Sequence, residues 1–310
     1  MRVTQSMLSN NMLRNLSTSY NKMGKLQNQL NTGKKVNRPS DDPVVAMRGV
    51  AYRHQVAKVE QFQRNIGEVH SWLDSTDTAL DNAGLVLHRA RELMVNVPTD
   101  SLTYDDRQKI VQELKQLRDS MQDIANTKVG DKYVFSGTKT GSPLFVSDNI
   151  DGKYEELPGT EPKKYLLKAN EDNGVLREVK IEVFDGIELQ VNTIGHELFG
   201  TIDEKFASMI KQIENPDEQA NLDEHIASLD DALNLVLEDR AVVGSRQNRA
   251  ELMENRLELQ ELSVKKQMSQ NEDIDYEVVI TELMTQESIH RAALSVGARI
   301  IQPTLVDFLR

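Results

Sequence analysis

The sequence predicts a mainly α-helical protein: a long antiparallel coiled-coil bundle built from both termini, with a small β-rich domain inserted between them. Three observations predict it. From Val59 to Val97, apolar side chains recur in unbroken alternating steps of three and four: Val59, Phe62, Ile66, Val69, Leu73, Thr76, Leu80, Ala83, Leu87, Ala90, Met94 and Val97. That spacing is a coiled-coil seam rather than the wider stripe of a globular helix. Only 5% of the 310 residues are aromatic, which favours helix pairing over a thick core. Past Gly130 the period shortens to two, and clusters of Gly, Pro, Asn and Asp separate short apolar runs.

The seam from Val59 to Val97 implies a helix of roughly 55–60 Å at 1.5 Å per residue, too long for a compact core to bury. Other helices must lie along it. The segments expected to do so are a coiled-coil arm and turn over 1–43, a helical hairpin over 44–136, and helices over 196–270 and 271–310; the insert occupies 137–195.

In the first arm Met12, Leu16, Ser19, Met23, Leu26 and Leu30 repeat the fours and threes. Gly33 is placed to end the helix as a C′ residue, with Lys34 and Lys35 near the negative end of the helix dipole. In the turn Val36-Asn37-Arg38-Pro39-Ser40-Asp41-Asp42-Pro43, Asp42 reads as an N-cap and Pro43 as the first helical residue of the next element. Capping accounts for Asp41 and Asp42 without a catalytic carboxylate pair. Gly33-Lys34-Lys35 lacks the upstream glycine and the following Ser or Thr of a phosphate loop.

Pro98-Thr99-Asp100-Ser101 breaks the long helix. Thr103 is the expected cap of the next, whose seam is Ile110, Leu114, Leu117, Met121 and Ile124 and which should fold back on its predecessor. The candidate strands are Tyr133-Val134-Phe135, Leu144-Phe145-Val146, Tyr165-Leu166-Leu167, 179–184 and 187–191, the last two joined by an Asp185-Gly186 turn. Asp148-Asn149-Ile150-Asp151-Gly152 fails as a calcium loop, because Ile150 stands where a ligand oxygen is needed.

Helix returns near His196 and breaks at Asn215-Pro216. It resumes with Leu222, Ile226, Leu229, Leu233 and Val236, and continues past Gly244 with Leu252, Leu259 and Leu262 as apolar points. Asn271-Glu272-Asp273-Ile274-Asp275 marks a break or a new cap. The last helix carries Leu283, Ile289, Ala293, Val296 and Ile300, Pro303 stops it, and Leu305, Phe308 and Leu309 leave an apolar ending suited to an interface.

Net charge is −12, a poor match to nucleic acid. Residues 1–70 carry 11 Lys and Arg against 4 Asp and Glu, or +7; residues 201–310 carry 11 against 22, or −11. A basic first arm and an acidic last arm are suited to lie together. With no Cys there is no disulfide or thiolate metal site. No apolar run spans a bilayer, and the residues after Met1 form no secretory signal. The six histidines show no metal-ligand spacing, and no nucleophile elbow, HExxH or dinucleotide fingerprint occurs. The expectation is a protein without catalytic residues, cofactor, metal, nucleic acid or membrane partner.

Thr32-Gly33-Lys34-Lys35-Val36-Asn37-Arg38-Pro39-Ser40-Asp41-Asp42-Pro43, followed by Ala46, resembles the amino-terminal signature of the bacterial flagellin family, which contains filament flagellins and junction proteins. Tyr133-Val134-Phe135-Ser136-Gly137 is similar to the family's exit into its variable domain. Val243-Gly244-Ser245-Arg246-Gln247-Asn248-Arg249 and Ile301-Gln302-Pro303-Thr304-Leu305-Val306-Asp307-Phe308-Leu309 resemble its carboxy-terminal half. The Pro303-containing ending and Arg2-Val3-Thr4 fit a junction protein better than a filament flagellin.

This resemblance implies a structural subunit of the flagellum, exported unfolded through the flagellar type III channel without a cleavable signal and seated outside the cell between hook and filament. Its implied partners are copies of itself in a layer, the other hook–filament junction protein, flagellin, and a cytoplasmic export chaperone that binds the C-terminal helix. The implied assembly core is Met12, Leu16, Met23, Leu26, Leu30, Leu283, Ile289, Val296, Ile300, Leu305, Phe308 and Leu309. The implied inter-subunit loop is Asn37, Arg38, Pro39, Asp41 and Asp42. The other readings are a flagellin filament subunit and, in a different class, a cytosolic coiled-coil adaptor or regulator. Both arms are expected to order on assembly.

Overall fold

The structure is a computed structural model that describes residues 5–96, 104–147, 154–159, 164–167, 177–214 and 222–300. The helices are α1 (Gln5–Thr32), α2 (Pro43–Asn96), α3 (Tyr104–Ala125), α4 (Gly195–Glu214), α5 (Leu222–Glu272) and α6 (Tyr276–Ile300). Among the described residues, seven short strands lie between α3 and α4. The chain forms two compact units, residues 1–58 with 259–310, and residues 59–258.

In the second unit, the α2 seam is buried at every described position from Val59 to Met94. Thr76 is buried with it, because its hydroxyl donates to the carbonyl of Trp72 at 2.7 Å. α5 runs antiparallel along α2. Arg91 meets Asp230 at 2.6 Å, Arg240 meets Asp77 at 2.7 Å and also Asp81, and Gln247 donates to Asp74 at 2.9 Å. Arg89 of α2 reaches Glu113 of α3 at 2.7 Å, as a helix that folds back should allow. The break at 97–103, with the expected cap Thr103, lies outside the described residues, as does Asn215-Pro216.

Two seams differ from expectation. On α5 the expected Leu229, Leu233 and Val236 are buried, and beyond them the burial continues at seven-residue steps through Val243, Ala250, Leu257 and Val264, while Leu252 is exposed. The repeat passes through a small alanine, so the larger leucine misleads the eye. On α3 the buried face is wider than the seam and takes in Val111, Arg118 and Gln122.

Arg118 and Asp203 are 4% and 2% exposed and meet at 2.5 Å. Gln122 donates to the same carboxylate at 2.6 Å, and the guanidinium also donates to the carbonyls of Pro158 and Gly159, each at 3.0 Å. Helices α3 and α4 are thereby tied to the turn after a strand, although the buried Gln122 Oε1 accepts no hydrogen bond among the described residues.

The strands form three small antiparallel sheets. β1 (Lys128–Val129) pairs with β2 (Lys132–Tyr133); β5 (Tyr165–Leu167) lies between β3 (Phe145–Val146) and β4 (Tyr154–Glu156); β6 (Lys180–Phe184) pairs with β7 (Ile187–Gln190). Asp185-Gly186 is the expected tight turn, with Gly186 at φ 69°. β1 and β4 are too short and polar to be seen in the sequence. Val134 and Phe135 are fully buried but leave the strand after Tyr133. Leu144, Leu167, Val183 and Leu189 share one apolar core with the helices. Phe184 stacks on Phe62 of α2, and the Arg256 guanidinium of α5 lies over the Phe184 ring at 4.2 Å. The segment 148–152 lies outside the described residues.

Breaking the buried ion pair should be the costliest single polar change in this unit. Arg118→Ala, which strands Asp203, should lower unfolding stability by about 3–5 kcal/mol, while Arg118→Met with Asp203→Leu recovers most of it. Denaturant melts of the three chains, with the exposed Asp119→Ala as a control within about 0.5 kcal/mol, measure this.

Candidate assembly interface

α1 and α6 lie antiparallel in the first unit. A Cβ added to Gly297 would overlap the end of Met12, Gln286 donates to Ser19 at 2.7 Å, the rings of Tyr20 and His290 lie 6.2 Å apart, and Tyr276 Oη closes over Gly33. Each helix offers a four–three seam. On α1 it is the expected one, with Met12, Leu16, Met23, Leu26 and Leu30 half-buried and Ser19 buried.

On α6 the seam is Val279, Leu283, Gln286, His290, Ala293 and Gly297. Leu283 and Ala293 stand on it as expected. Ile289 and Val296 do not: each is 52% exposed. They lie one residue round the helix, where their size suggests a seam that the small and polar residues actually form. The side chain of Ile300, and all of Leu305, Phe308 and Leu309 with Pro303, lie outside what is described. Besides Ile289 and Val296, α6 exposes Val278, Ile280, Met284 and Leu294, and α1 exposes Leu13 and Tyr20. Two apolar helices thus bury one face on each other and leave another open.

The turn between α1 and α2 is held at the break between α5 and α6. Gly33, at φ 67°, takes the left-handed conformation that ends α1 and accepts a hydrogen bond from Ile274 at 3.1 Å. Lys35 N donates to the carbonyl of Glu272 at 2.7 Å. Side chains reinforce this. Glu272 is buried, and its carboxylate accepts two bonds from Arg53, at 2.7 and 2.9 Å, with Lys34 at 3.4 Å. Lys34 meets Asp273 at 2.6 Å. Gly49 leaves room for this packing: a Cβ there would overlap the Glu272 carboxylate and push it out of its present position. The sequence placed Lys34 at a helix dipole and read 271–275 as a break. It showed opposite charge on the two arms but not that Glu272 and Asp273 were the partners.

In the turn itself most polar groups are used internally. Asp42 caps α2, accepting from Val44 and Val45 at 2.9 and 3.1 Å. Asp41 accepts from Arg38 N at 3.1 Å, Asn37 accepts from Thr32 at 2.8 Å, and Asp275 caps α6 by accepting from Glu277 at 3.0 Å. The Arg38 bond, followed by the charge of Lys25, holds the Asp41 carboxyl below its ordinary range. The exposed Arg38 guanidinium has no partner among the described residues. With Asn37, Pro39 and Val45 it borders a cleft of about 190 Å³.

The described geometry is a pair of antiparallel terminal helices, each with one face open, joined at two turns that are tied to each other. No group of three His, Asp or Glu side chains fit to hold a metal occurs among the described residues, and no described helix is long and apolar enough to cross a membrane.

The pattern of the bacterial flagellin N-terminal helical region matches residues 3–140, and that of the bacterial flagellin C-terminal helical region matches residues 226–309. The chain belongs to the bacterial flagellin family and is a structural component of the bacterial flagellum. It is 27% identical over 302 residues to flagellar hook-associated protein 3 of Escherichia coli (strain K12), across 94% of this chain and 93% of that protein. The flagellin of Bacillus subtilis (strain 168) is 24% identical over 317 residues, across 97% of each. A solved flagellar hook-associated protein from Vibrio parahaemolyticus shares the fold, with a TM-score of 0.62 and 24% identity over 75% of this chain and all of that one.

The tie at the turn has a defined pH window. The bond to Lys34 holds Asp273 below its ordinary 3.8, so its contribution is present above 3.8 and lost as pH falls through the lower folded value. The bond to Asp273 raises Lys34 above 10.5, so its contribution is present below 10.5 and lost as pH rises through the higher folded value. Hydrogen-exchange protection of the Lys35 and Ile274 amides should therefore be flat from about pH 5 to 9, fall below 3.8 and fall again above 10.5. It should also weaken in high salt, because Lys34 is 38% exposed.

Proposed function

We propose that this chain is the hook–filament junction subunit of the flagellum. What carries this reading is the match of hook-associated protein 3 along nearly the whole chain, at higher identity than the full-length flagellin match. In this role the chain forms a layer with copies of itself, resting on the other hook–filament junction protein and receiving the first flagellins. It reaches its extracellular place by signal-free export, and an export chaperone holds the C-terminal helix beforehand, in a groove suited to an amphipathic helix.

The open apolar faces of α1 and α6 support a core completed by neighbouring chains. We assign Ile289 and Val296 to that contact, together with Ile300, Leu305, Phe308 and Leu309. Met12, Leu16, Met23, Leu26, Leu30 and Leu283 hold the arm pair within each copy. Among Asn37, Arg38, Pro39, Asp41 and Asp42, Arg38 is the group free to reach a neighbour. The second reading, a filament subunit, rests on the flagellin match.

Antibody to this chain should label a detached flagellum as a narrow band at the distal edge of the hook; labelling along the filament would mean a filament subunit. Removing residues 290–310 should leave a folded chain that is absent from the flagellum. Ile289→Asp with Val296→Asp should do the same while shifting the chain's own stability by no more than about 0.5 kcal/mol, since both side chains are already exposed.

A further inference from the structure

The two long helices of the second unit repeat with great regularity. α2 buries Val59, Ile66, Leu73, Leu80, Leu87 and Met94, and α5 buries Val236, Val243, Ala250 and Leu257, each at steps of seven. Such repeats define the buried face of each helix but leave neighbouring registers of the pair nearly equivalent. Arg91 with Asp230 and Arg240 with Asp77 distinguish one register from another. Both pairs are half-exposed, however, and such pairs contribute little.

The β6–β7 hairpin touches both helices at once. Near its tip, Phe184 stacks on Phe62 of α2 while the Arg256 guanidinium of α5 lies over the same ring at 4.2 Å. Asn65 of α2 donates to the carbonyl of Glu182 at 2.7 Å. At the base, Arg246 of α5 donates to the carbonyl of Asn192 at 3.0 Å. Asn192 is fully buried and joins the two chains of that base: its side chain accepts from Val179 N at 2.7 Å and donates to the carbonyl of Arg177 at 3.2 Å. Burial of the Arg246 guanidinium lowers its pKa, against the charges of Glu178 and Asp239. Between tip and base, Val183 and Leu189 are buried.

We propose that this hairpin is a strap that holds α2 and α5 in one register, with Arg246 and Arg256 as its fasteners. The ladder of β6 with β7 and the bonds of Asn192 make the strap one piece. It therefore sets Phe62 and Asn65 on one helix at a constant height against Arg246 and Arg256 on the other. A slide by one heptad, about 10 Å, would leave the apolar seam filled. The same slide would carry Arg256 off the Phe184 ring and Arg246 away from Asn192 together. Arginine suits this place because its planar cation can lie on a ring or bond a carbonyl at the end of a long apolar stem.

The test uses the free full chain and is independent of where the chain sits in the flagellum. The chain has no Cys, so Glu60→Cys with Glu258→Cys places one spin label on an exposed site of each helix. The distance between the labels, read by electron spin resonance, should be single and narrow while the strap is fastened. Arg246→Met with Arg256→Met should lower hydrogen-exchange protection of the β6 and β7 amides by about tenfold. The single distance should then give way to a broad or shifted one. Protection of the α2 amides from Leu73 to Met94 should stay as in the natural chain, which shows that the unit remains folded.

A distance that stays narrow although the hairpin is loosened overturns the proposal, because the hairpin is then a passive cover. So does unchanged protection of β6 and β7, because the two arginines then do not hold it. Loss of protection from Leu73 to Met94 in step with the hairpin overturns it too, since the arginines then act on the whole unit, as does a broad distance with both arginines in place.

Discussion

The arms of this protein depend on one tie: the backbone of Gly33 to Lys35 laid across that of Glu272 to Ile274. Two helices leave in one direction from this crossing, and neither connector can move without the other. The hydrogen bonds alone would leave it open to water, and a backbone pair in water adds little. The Glu272 carboxylate changes that. It is buried beneath the crossing because Gly49 leaves room, and Arg53 and Lys34 supply the charge that makes its burial tolerable. The pairing of α1 with α6 begins at that fixed point, and its register follows from it.

Beyond the tie, the terminal helices meet a conflict that an ordinary domain avoids. A helix that packs inside its own chain should give its largest apolar side chains to that contact. A helix that must also pack against neighbours needs such side chains on another face. α6 resolves this by lining its inner seam with Gln286, His290, Ala293 and Gly297 and turning Ile289 and Val296 outward. The small residues let Met12 approach closely, and the Gln286–Ser19 bond sets one polar layer in the seam, a device that fixes register at some loss of stability.

The same conflict explains what could be read from the sequence. On α2 a single face is buried, the largest apolar residues lie on it, and the seam from Val59 to Met94 is legible without error. The caps at Asp42 and Gly33 and the Asp185-Gly186 turn are legible because each depends on local chemistry alone. On α5 and α6 the strongest apolar positions belong to the outside, so following size leads to Leu252, Ile289 and Val296 instead of Ala250, His290 and Gly297. Period, held strictly at seven through Ala250, would have found the α5 seam. Arg118, Asp203, Glu272 and Arg53 were hidden for a different reason: a buried ion pair joins positions far apart in the chain, and no spacing announces it.

The two units treat charge in opposite ways. In the second, Arg118 and Asp203 are shut away from water and bonded to each other, with Gln122 donating to the same carboxylate, which ties α3 and α4 to the turn after β4. Screening by salt reaches such a group weakly. In the arms the cations of α1 and the anions of the first half of α6 stay in water, where a charge has little effect. Among the described residues none pairs across the two helices: Lys25 turns to Asp41 and Glu287 to Arg291. The sign segregation along the chain, basic at the start and acidic toward the end, therefore adds little to the pairing of α1 with α6, since among the described residues no ion pair joins them.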